Sequence, residues 1–331
     1  MMSKIIATKI NKSVGFLLAL LVLATLLPAG TAARLDERIK VVTTIPDLAD
    51  MVKQIGGDFV EAKSIARGSE DMHAIPMKPS FLLLLNRADM LFEVGLDMEH
   101  SWLPDLLYNC RNERIQPGAP GFVNCSAQIR PLEKPDHADR GEGEIHPEGN
   151  PHYNTDPRRG RLMALTVCNG LCRAYPDKEP LFRRNLEAYL TLFDRKLKEW
   201  EILARPLKGV KVITYHRSWS YFAESFGLEV VGEIEPKPGI APTPGHLVKL
   251  IRLIRAEKVP LIIKEQYYSK KYPDFLREKT GIAVATLPNM SGGRPEVTGY
   301  FNFIEHNIRT LLKALGKPAL SPEEIEKELK K

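Results

Sequence analysis

Four side chains with metal-ligating chemistry fall at comparable points of a repeating pattern of strands and helices. His73 lies in the loop after the second predicted strand, His216 directly follows the strand Val210–Tyr215, and Glu265 directly follows the strand Pro260–Lys264. His152 sits in Gly149-Asn-Pro-His-Tyr-Asn-Thr-Asp-Pro157, just before a helix that Asp156 and Pro157 should start. Open α/β sheets bind ligands at the carboxyl ends of their strands, where loops and helix N-termini converge. One loop histidine is ordinarily a solvated side chain or a cap; three at matched positions point to a shared task. Neutral imidazole with carboxylate is a ligand set that Zn2+ accepts in tetrahedral geometry, whereas Mn2+ calls for more oxygen. Cu2+ outranks Zn2+ for such ligands in intrinsic affinity, so a preference for zinc would come from geometry and supply.

The elements that must position these residues are legible in the hydrophobic pattern. Lys40–Thr44 reads as a strand, Asp47–Ile55 as a helix stopped by Gly56-Gly57, Phe59–Ile65 as a strand, a stretch capped by Ser80 as a helix, and Met90–Val94 as a strand. After Pro206 the rhythm restarts: a strand at Val210–Tyr215, a helix at Ser218–Phe226, strands at Glu229–Ile234 and Pro260–Lys264, helices at Leu247–Ala256 and Lys270–Lys279, and a last strand at Ile282–Leu287. This alternation implies α/β architecture, with two lobes that each hold a mainly parallel sheet flanked by helices.

Between the lobes, Phe182, Leu186, Tyr189, Leu190, Phe193, Leu197, Trp200 and Ala204 keep the spacing of one helix face. With Asp177 as cap, Pro180 in the first turn and Pro206 as stop, this predicts one rigid helix roughly 37 Å long at about 1.5 Å per residue. The expected organisation is a leader over 1–33, a first lobe over 34–176, the linking helix over 177–206 and a second lobe over 207–331. Within the first lobe, Glu133–Gly149 lacks hydrophobic periodicity and reads as an acidic, histidine-bearing surface loop.

The N-terminus has a basic start, an apolar run from Val14 to Pro28 and small residues up to Ala33, the pattern of a cleaved secretory signal peptide. No cysteine follows the run, so a lipid anchor on a new N-terminal Cys is not expected. Removing the leader with its three lysines lowers the formal charge of +6 to +3, so the basic balance is no argument for nucleic acid binding. Four cysteines in an exported chain suggest disulfides. Cys110 and Cys125, which flank a Pro/Gly-rich loop, are the expected pair; Cys168 and Cys172 lie four apart on a predicted helix, where the Cβ directions do not suit one.

At "VVTTIPDLADMVKQIGG", "GSEDMHAIPMKPS", "ADMLFEVGLDMEHSWLPDLL", "GNPHYNTDP", "VITYHRSWSYFAESFGL" and "IIKEQYYSKKYPDFLREKTGI" the chain resembles the metal-binding proteins of bacterial zinc and manganese uptake ABC transporters, the cluster A-I solute-binding proteins. The resemblance covers nearly all of the chain after the leader. It implies two α/β lobes joined by one long helix, a metal between them, and His73, His152 and His216 as first, second and third ligands. Histidine at the third position is similar to the zinc-binding members. The family's fourth ligand is an Asp in an "LDPL"-like stretch, but here Leu287-Pro-Asn-Met290 has Pro288 at that point. Glu265 is the candidate for the fourth position by its strand-end placement, with Asn289, a water or a three-histidine site as alternatives and a purely structural role as the competing reading. Asn154 stands where an aromatic is usual. His137 and His146 look like a reduced form of the histidine-rich loop of zinc-binding relatives, an auxiliary metal loop, against the plainer reading of a solvated linker.

The expected function is therefore capture of Zn2+ outside the cytoplasm, by a monomer, and delivery to an ABC permease, with no catalysis. The rivals are a manganese-binding member of the same family, an exported zinc hydrolase, or an interaction module with structural metal. No His-Glu-x-x-His motif is present to favour the hydrolase.

Overall fold

The computed structural model describes residues 38–135, 146–237 and 239–331, so the expected leader and His137 lie outside the described residues. The first half is built on β1 (Ile39–Thr43), β2 (Val60–Ser64), β3 (Met90–Glu93) and β4 (Phe122–Asn124), in the order β2-β1-β3-β4. The second half repeats the arrangement with β5 (Lys211–Thr214), β6 (Glu229–Glu233), β7 (Leu261–Glu265) and β8 (Ala283–Leu287), ordered β6-β5-β7-β8. Every pairing is parallel. The two sheets are thus topological copies, as the repeated rhythm predicts, and each has its switch in strand order beside its first strand.

Helices α1 (Pro46–Gly56), α2 (Pro79–Asn86) and α3 (Leu103–Asn109) connect the strands of the first sheet. The next two, α4 (Pro157–Ala174) and α5 (Glu179–Leu203), lead to the second half, where α6 (Ser220–Phe226), α7 (Pro244–Glu257) and α8 (Lys271–Thr280) lie between strands. Two further helices, α9 (Gly299–Ala314) and α10 (Pro322–Leu329), follow the last strand. Several start with Pro at the first turn, where its missing N–H costs nothing and its fixed φ favours the helix. Among the described residues no helix is long and apolar enough to cross a membrane.

The predicted linking helix is α5, 25 residues long. It buries Phe182, Leu186, Tyr189, Phe193 and Trp200 against α1 and α4 of the first half and against α9 and α10 at the end of the chain. Its start differs from the expectation. Pro176–Lys178 form a separate 3-10 turn, and Lys178 occupies the capping position without a side-chain bond, so Asp177 does not cap it. The apolar contact of its buried face, rather than a cap, holds this helix in place.

One hydrophobic core runs through both halves. Leu48, Met51 and Val52 of α1, Phe193 and Trp200 of α5, Leu261 and Ile263 of β7, and Phe303 of α9 belong to a single cluster. Ile213, Ile262, Leu250, Ile254 and Leu276 fill the other face of the second sheet. Separating the halves would expose several of these large side chains, each worth about 1.5–3 kcal/mol of burial.

The expected Cys110–Cys125 disulfide is not formed. All four cysteines are free thiols. Cys110 ends α3 and receives a hydrogen bond from the Gln116 amide at 3.6 Å, while Cys125 follows β4 and is buried beside Glu93 and Glu99. Each sulfur is committed to its own surroundings, and a Pro/Gly-rich loop between two cysteines does not by itself bring their Cβ atoms within bonding range. Cys168 and Cys172 lie on the intact α4 as free thiols whose sulfurs share a hydrogen bond at 3.8 Å.

Candidate metal centre

Local chemistry fixes each histidine before the site is assembled. The His73 N–H is held at 3.0 Å by Asp71 Oδ1, and its carbonyl accepts the Ser101 hydroxyl. The Trp102 indole N–H anchors the neighbouring Met72 carbonyl at 2.9 Å. The His152 N–H donates to Asn150 Oδ1 at 2.9 Å, and its carbonyl accepts from the Thr155 hydroxyl at 2.8 Å. Just beyond it, Asp156 caps α4 by accepting from the Arg158 N–H at 2.8 Å, as the sequence predicts. His216 stands two residues past the end of β5 on extended backbone.

The fold brings these three side chains together. His73 Nε2 and His152 Nε2 face each other at 3.1 Å. The ring centroids form a near-regular triangle: 5.0 Å between His73 and His152, 5.6 Å between His73 and His216, and 5.4 Å between His152 and His216. One ligand atom from each lies within 4.8 Å of the others, and all three residues are buried. A tetrahedral ion with Zn–N bonds of about 2.0–2.1 Å separates its ligand nitrogens by roughly 3.3 Å, so the cluster is already close to the size of a coordination sphere.

Strand register sets what surrounds His216. Thr214 pairs with Ile263 of β7 on one side and with Glu233 of β6 on the other. Two residues further, on the same face, the continuation of those pairings sets His216 between Glu265 and Glu235. Glu235 Oε2 meets His216 Nδ1 at 2.9 Å. The Glu265 carboxylate is fully buried and neither oxygen has a hydrogen-bond partner among the described residues. It lies outside the group of ligand atoms that falls within 4.8 Å.

Burial sets the charge states. It drives His73 and His152 well below the usual imidazole range, and the charge of neighbouring histidines adds to the effect. Burial opposes a charged His216 too, but the Glu235 hydrogen bond and the Glu265 charge outweigh it and raise His216. Burial pushes Glu265 up to about 7 against the opposing charge of His216. Two imidazoles held neutral and one held against carboxylates form a site whose electrostatics suit a cation.

Asn289, the alternative fourth ligand, is buried with its amide donating to the Tyr267 hydroxyl at 2.8 Å, while its carbonyl accepts from Asn154 at 2.8 Å. His146 is stacked on His73, with centroids 5.0 Å apart, and its ring lies 5.9 Å from that of His100. One neighbour of the cluster was not legible as a site residue: Glu235, whose signal is the register just described.

A family model described as zinc-uptake complex component A, periplasmic, matches residues 41–314. The chain belongs to this family. Its members are substrate-binding proteins of metal ABC transporters, and named relatives include both zinc and manganese binders. The zinc-binding lipoprotein AdcA of Streptococcus pneumoniae serotype 4 is 23% identical over 326 residues, covering 95% of this chain and 64% of AdcA. This chain therefore spans just under two thirds of that relative. The manganese-binding lipoprotein MntA of Halalkalibacterium halodurans is 23% identical over 289 residues, covering 85% of this chain and 90% of MntA. A crystal structure of ZnuA superposes with a TM-score of 0.71 at 24% identity, covering 84% of this chain and 99% of that one, which establishes the shared fold.

Proposed function

We propose that this chain captures Zn2+ between its two halves and delivers it to the membrane permease of an ABC transporter. The observation that carries the reading is the buried triangle of His73, His152 and His216, with ligand atoms within 4.8 Å of one another. Three imidazoles favour zinc over manganese, which seeks oxygen. Burial supports a metal site here, since a histidine ligates only when neutral. Glu265 is our candidate for the fourth position, with Asn289 or water as the alternatives; the Asn289 amide nitrogen donates to Tyr267, which leaves its Oδ1 as the atom that could ligate.

The halves, residues 34–176 and 207–331 joined by the helix of 177–206, share one core, so we assign release to displacement of a ligand-bearing loop at the permease rather than to a wide hinge. The protein works as an exported monomer. His146 against the His73 ring supports an auxiliary role for the loop that carries it, in which His146 and His137 meet the ion before the buried site does.

Manganese is the second reading. Relatives named as manganese-binding favour it, as does the buried oxygen pair of Glu265. A zinc hydrolase is disfavoured: of the carboxylates acting on His216, Asp71 and Glu235 are already hydrogen-bonded, which leaves Glu265 alone to serve both as ligand and as base.

Metal analysis of the protein as purified, followed by competition among Zn2+, Mn2+ and Cu2+, tests the reading. We expect one zinc per chain and displacement by manganese only in large excess. His216→Ala should weaken zinc binding by more than about 100-fold, beyond what loss of a supporting group costs. Unchanged calorimetric affinity in that variant would remove the site.

A further inference from the structure

Among the described residues, His216 alone of the three clustered histidines has a protein partner on Nδ1. The Nδ1 atoms of His73 and His152 are buried without a hydrogen-bond partner among the described residues, whereas Glu235 Oε2 lies 2.9 Å from Nδ1 of His216. Glu235 is itself held in place. Its backbone N–H donates to the Tyr215 carbonyl at 3.0 Å, continuing the pairing of β5 with β6, and the same Oε2 accepts the Gly239 N–H at 3.2 Å.

The contact depends on an irregularity in the sheet. Val212 pairs with Val230, but the next residue, Ile213, pairs with Gly232, so β6 carries one extra residue at this point. Without that shift the residue opposite His216 would be Ile234, an apolar side chain. With it, Glu235 takes the position. Bulges of this kind re-aim side chains next to functional sites. A hydrogen bond from Nδ1–H to a carboxylate fixes the tautomer of an imidazole, turns Nε2 outward as a lone-pair donor and raises its basicity as a ligand.

We propose that Glu235 is a positioning residue for metal capture: through the bulge in β6 it holds His216 as the Nδ1–H tautomer, with Nε2 presented to the ion. His216 is then the one ligand of the three whose tautomer is set by a carboxylate of the protein. The inference rests on the reading of the histidine cluster as a metal site.

Four proteins test it: the full chain, Glu235→Ala, Glu235→Gln and His216→Ala. Zinc affinity is measured against a chromophoric chelator, melting is followed without metal, and long-range 15N–1H spectra report the tautomer of His216 at a pH where the ring is neutral. Glu235→Ala should weaken zinc binding by about 10–100-fold, the usual effect of losing such a partner, with melting shifted far less than the affinity. Glu235→Gln should recover most of the affinity, because its amide oxygen still accepts from Nδ1–H. The spectra should give the Nδ1–H tautomer in the full chain and a mixture in Glu235→Ala. Wild-type affinity in Glu235→Ala alongside weak binding in His216→Ala would overturn the positioning role and leave the metal site standing. Wild-type affinity in His216→Ala would overturn the site itself. Should Glu235→Ala fail to fold, the full chain's own spectrum decides, since an Nε2–H tautomer there would sink the proposal.

Discussion

Asp47 binds Ser291 across 244 positions of sequence: its Oδ1 accepts the Ser291 N–H at 2.7 Å, while Oδ2 accepts the Asn154 amide at 2.8 Å. One buried carboxylate thus ties the first helix to the segment after β8 and to the segment carrying His152. The backbones also close in here, since a Cβ at Gly68 would fall 2.1 Å from the Gly292 carbonyl carbon, so only glycine fits. Burial raises the Asp47 carboxyl from 3.8 to about 6, against the hydrogen bonds that favour its charge. The folded state therefore holds this proton more tightly than the unfolded chain. The cost of the buried charge is fully present above about pH 6 and is relieved as pH falls toward 3.8, a difference of about 3 kcal/mol. Denaturant titrations of the full chain and Asp47→Asn between pH 4 and 7.5 should diverge accordingly, the variant losing ground by up to about 3 kcal/mol as pH falls. Curves that stay parallel would refute the assignment.

Gly160 gives a second test, because a Cβ there would lie 2.1 Å from the Tyr300 hydroxyl. That hydroxyl donates to the carbonyls of Asn154 at 2.8 Å and Asp156 at 3.2 Å, flanking the turn that presents His152. In an open helix Gly→Ala stabilises by about 1 kcal/mol. Here it should destabilise by about 1–3 kcal/mol through overpacking and should weaken zinc binding by displacing the turn. Thermal melting and chelator competition check both effects; a higher melting temperature would contradict the packing.

The strand and helix rhythm, the parallel sheets and the long helix were legible because they are written in local periodicity. That His73, His152 and His216 meet was legible because loops after strands and before helix N-termini converge at one edge of such sheets. What the sequence withheld was non-local. β4 is only three residues, Phe122–Asn124, and takes its place by pairing with β3 rather than by any pattern of its own. Helices α9 and α10 cover apolar surface of the long helix, and their role follows from that packing. Glu235 reaches His216 only because β6 carries an extra residue, and bulges leave no reliable mark in composition. The disulfide failed for the same reason: pairing needs the Cβ geometry of two distant elements, which loop composition does not supply.

The free cysteines make a direct prediction. Cys110, Cys125, Cys168 and Cys172 are all buried, and burial pushes the Cys168 thiol up to about 12, helped by Cys172. Thiolate is the reactive form, so the native protein should react slowly with Ellman's reagent at neutral pH. Denatured without reductant, it should titrate four thiols. A count of two would establish a disulfide and overturn this arrangement.

Glu265 should have opposite effects on the empty and the loaded protein. Without metal its buried carboxyl is raised from 4.5 to about 7, so above that pH its charge weighs against the fold, and the burden is relieved as pH falls toward 4.5. Glu265→Gln removes this burden and should stabilise the metal-free protein at pH 8 by up to about 3 kcal/mol. A bound dication reverses the sign, because a carboxylate close to it is favoured in the charged form. The same variant should therefore bind zinc at least about tenfold more weakly, the size expected when a partner of the coordination sphere is lost. Denaturant titration without metal and chelator competition with it give the two numbers. A residue that only packs against β8 would change both states in the same direction. That outcome would return Glu265 to the core and leave water to complete the coordination of the three histidines.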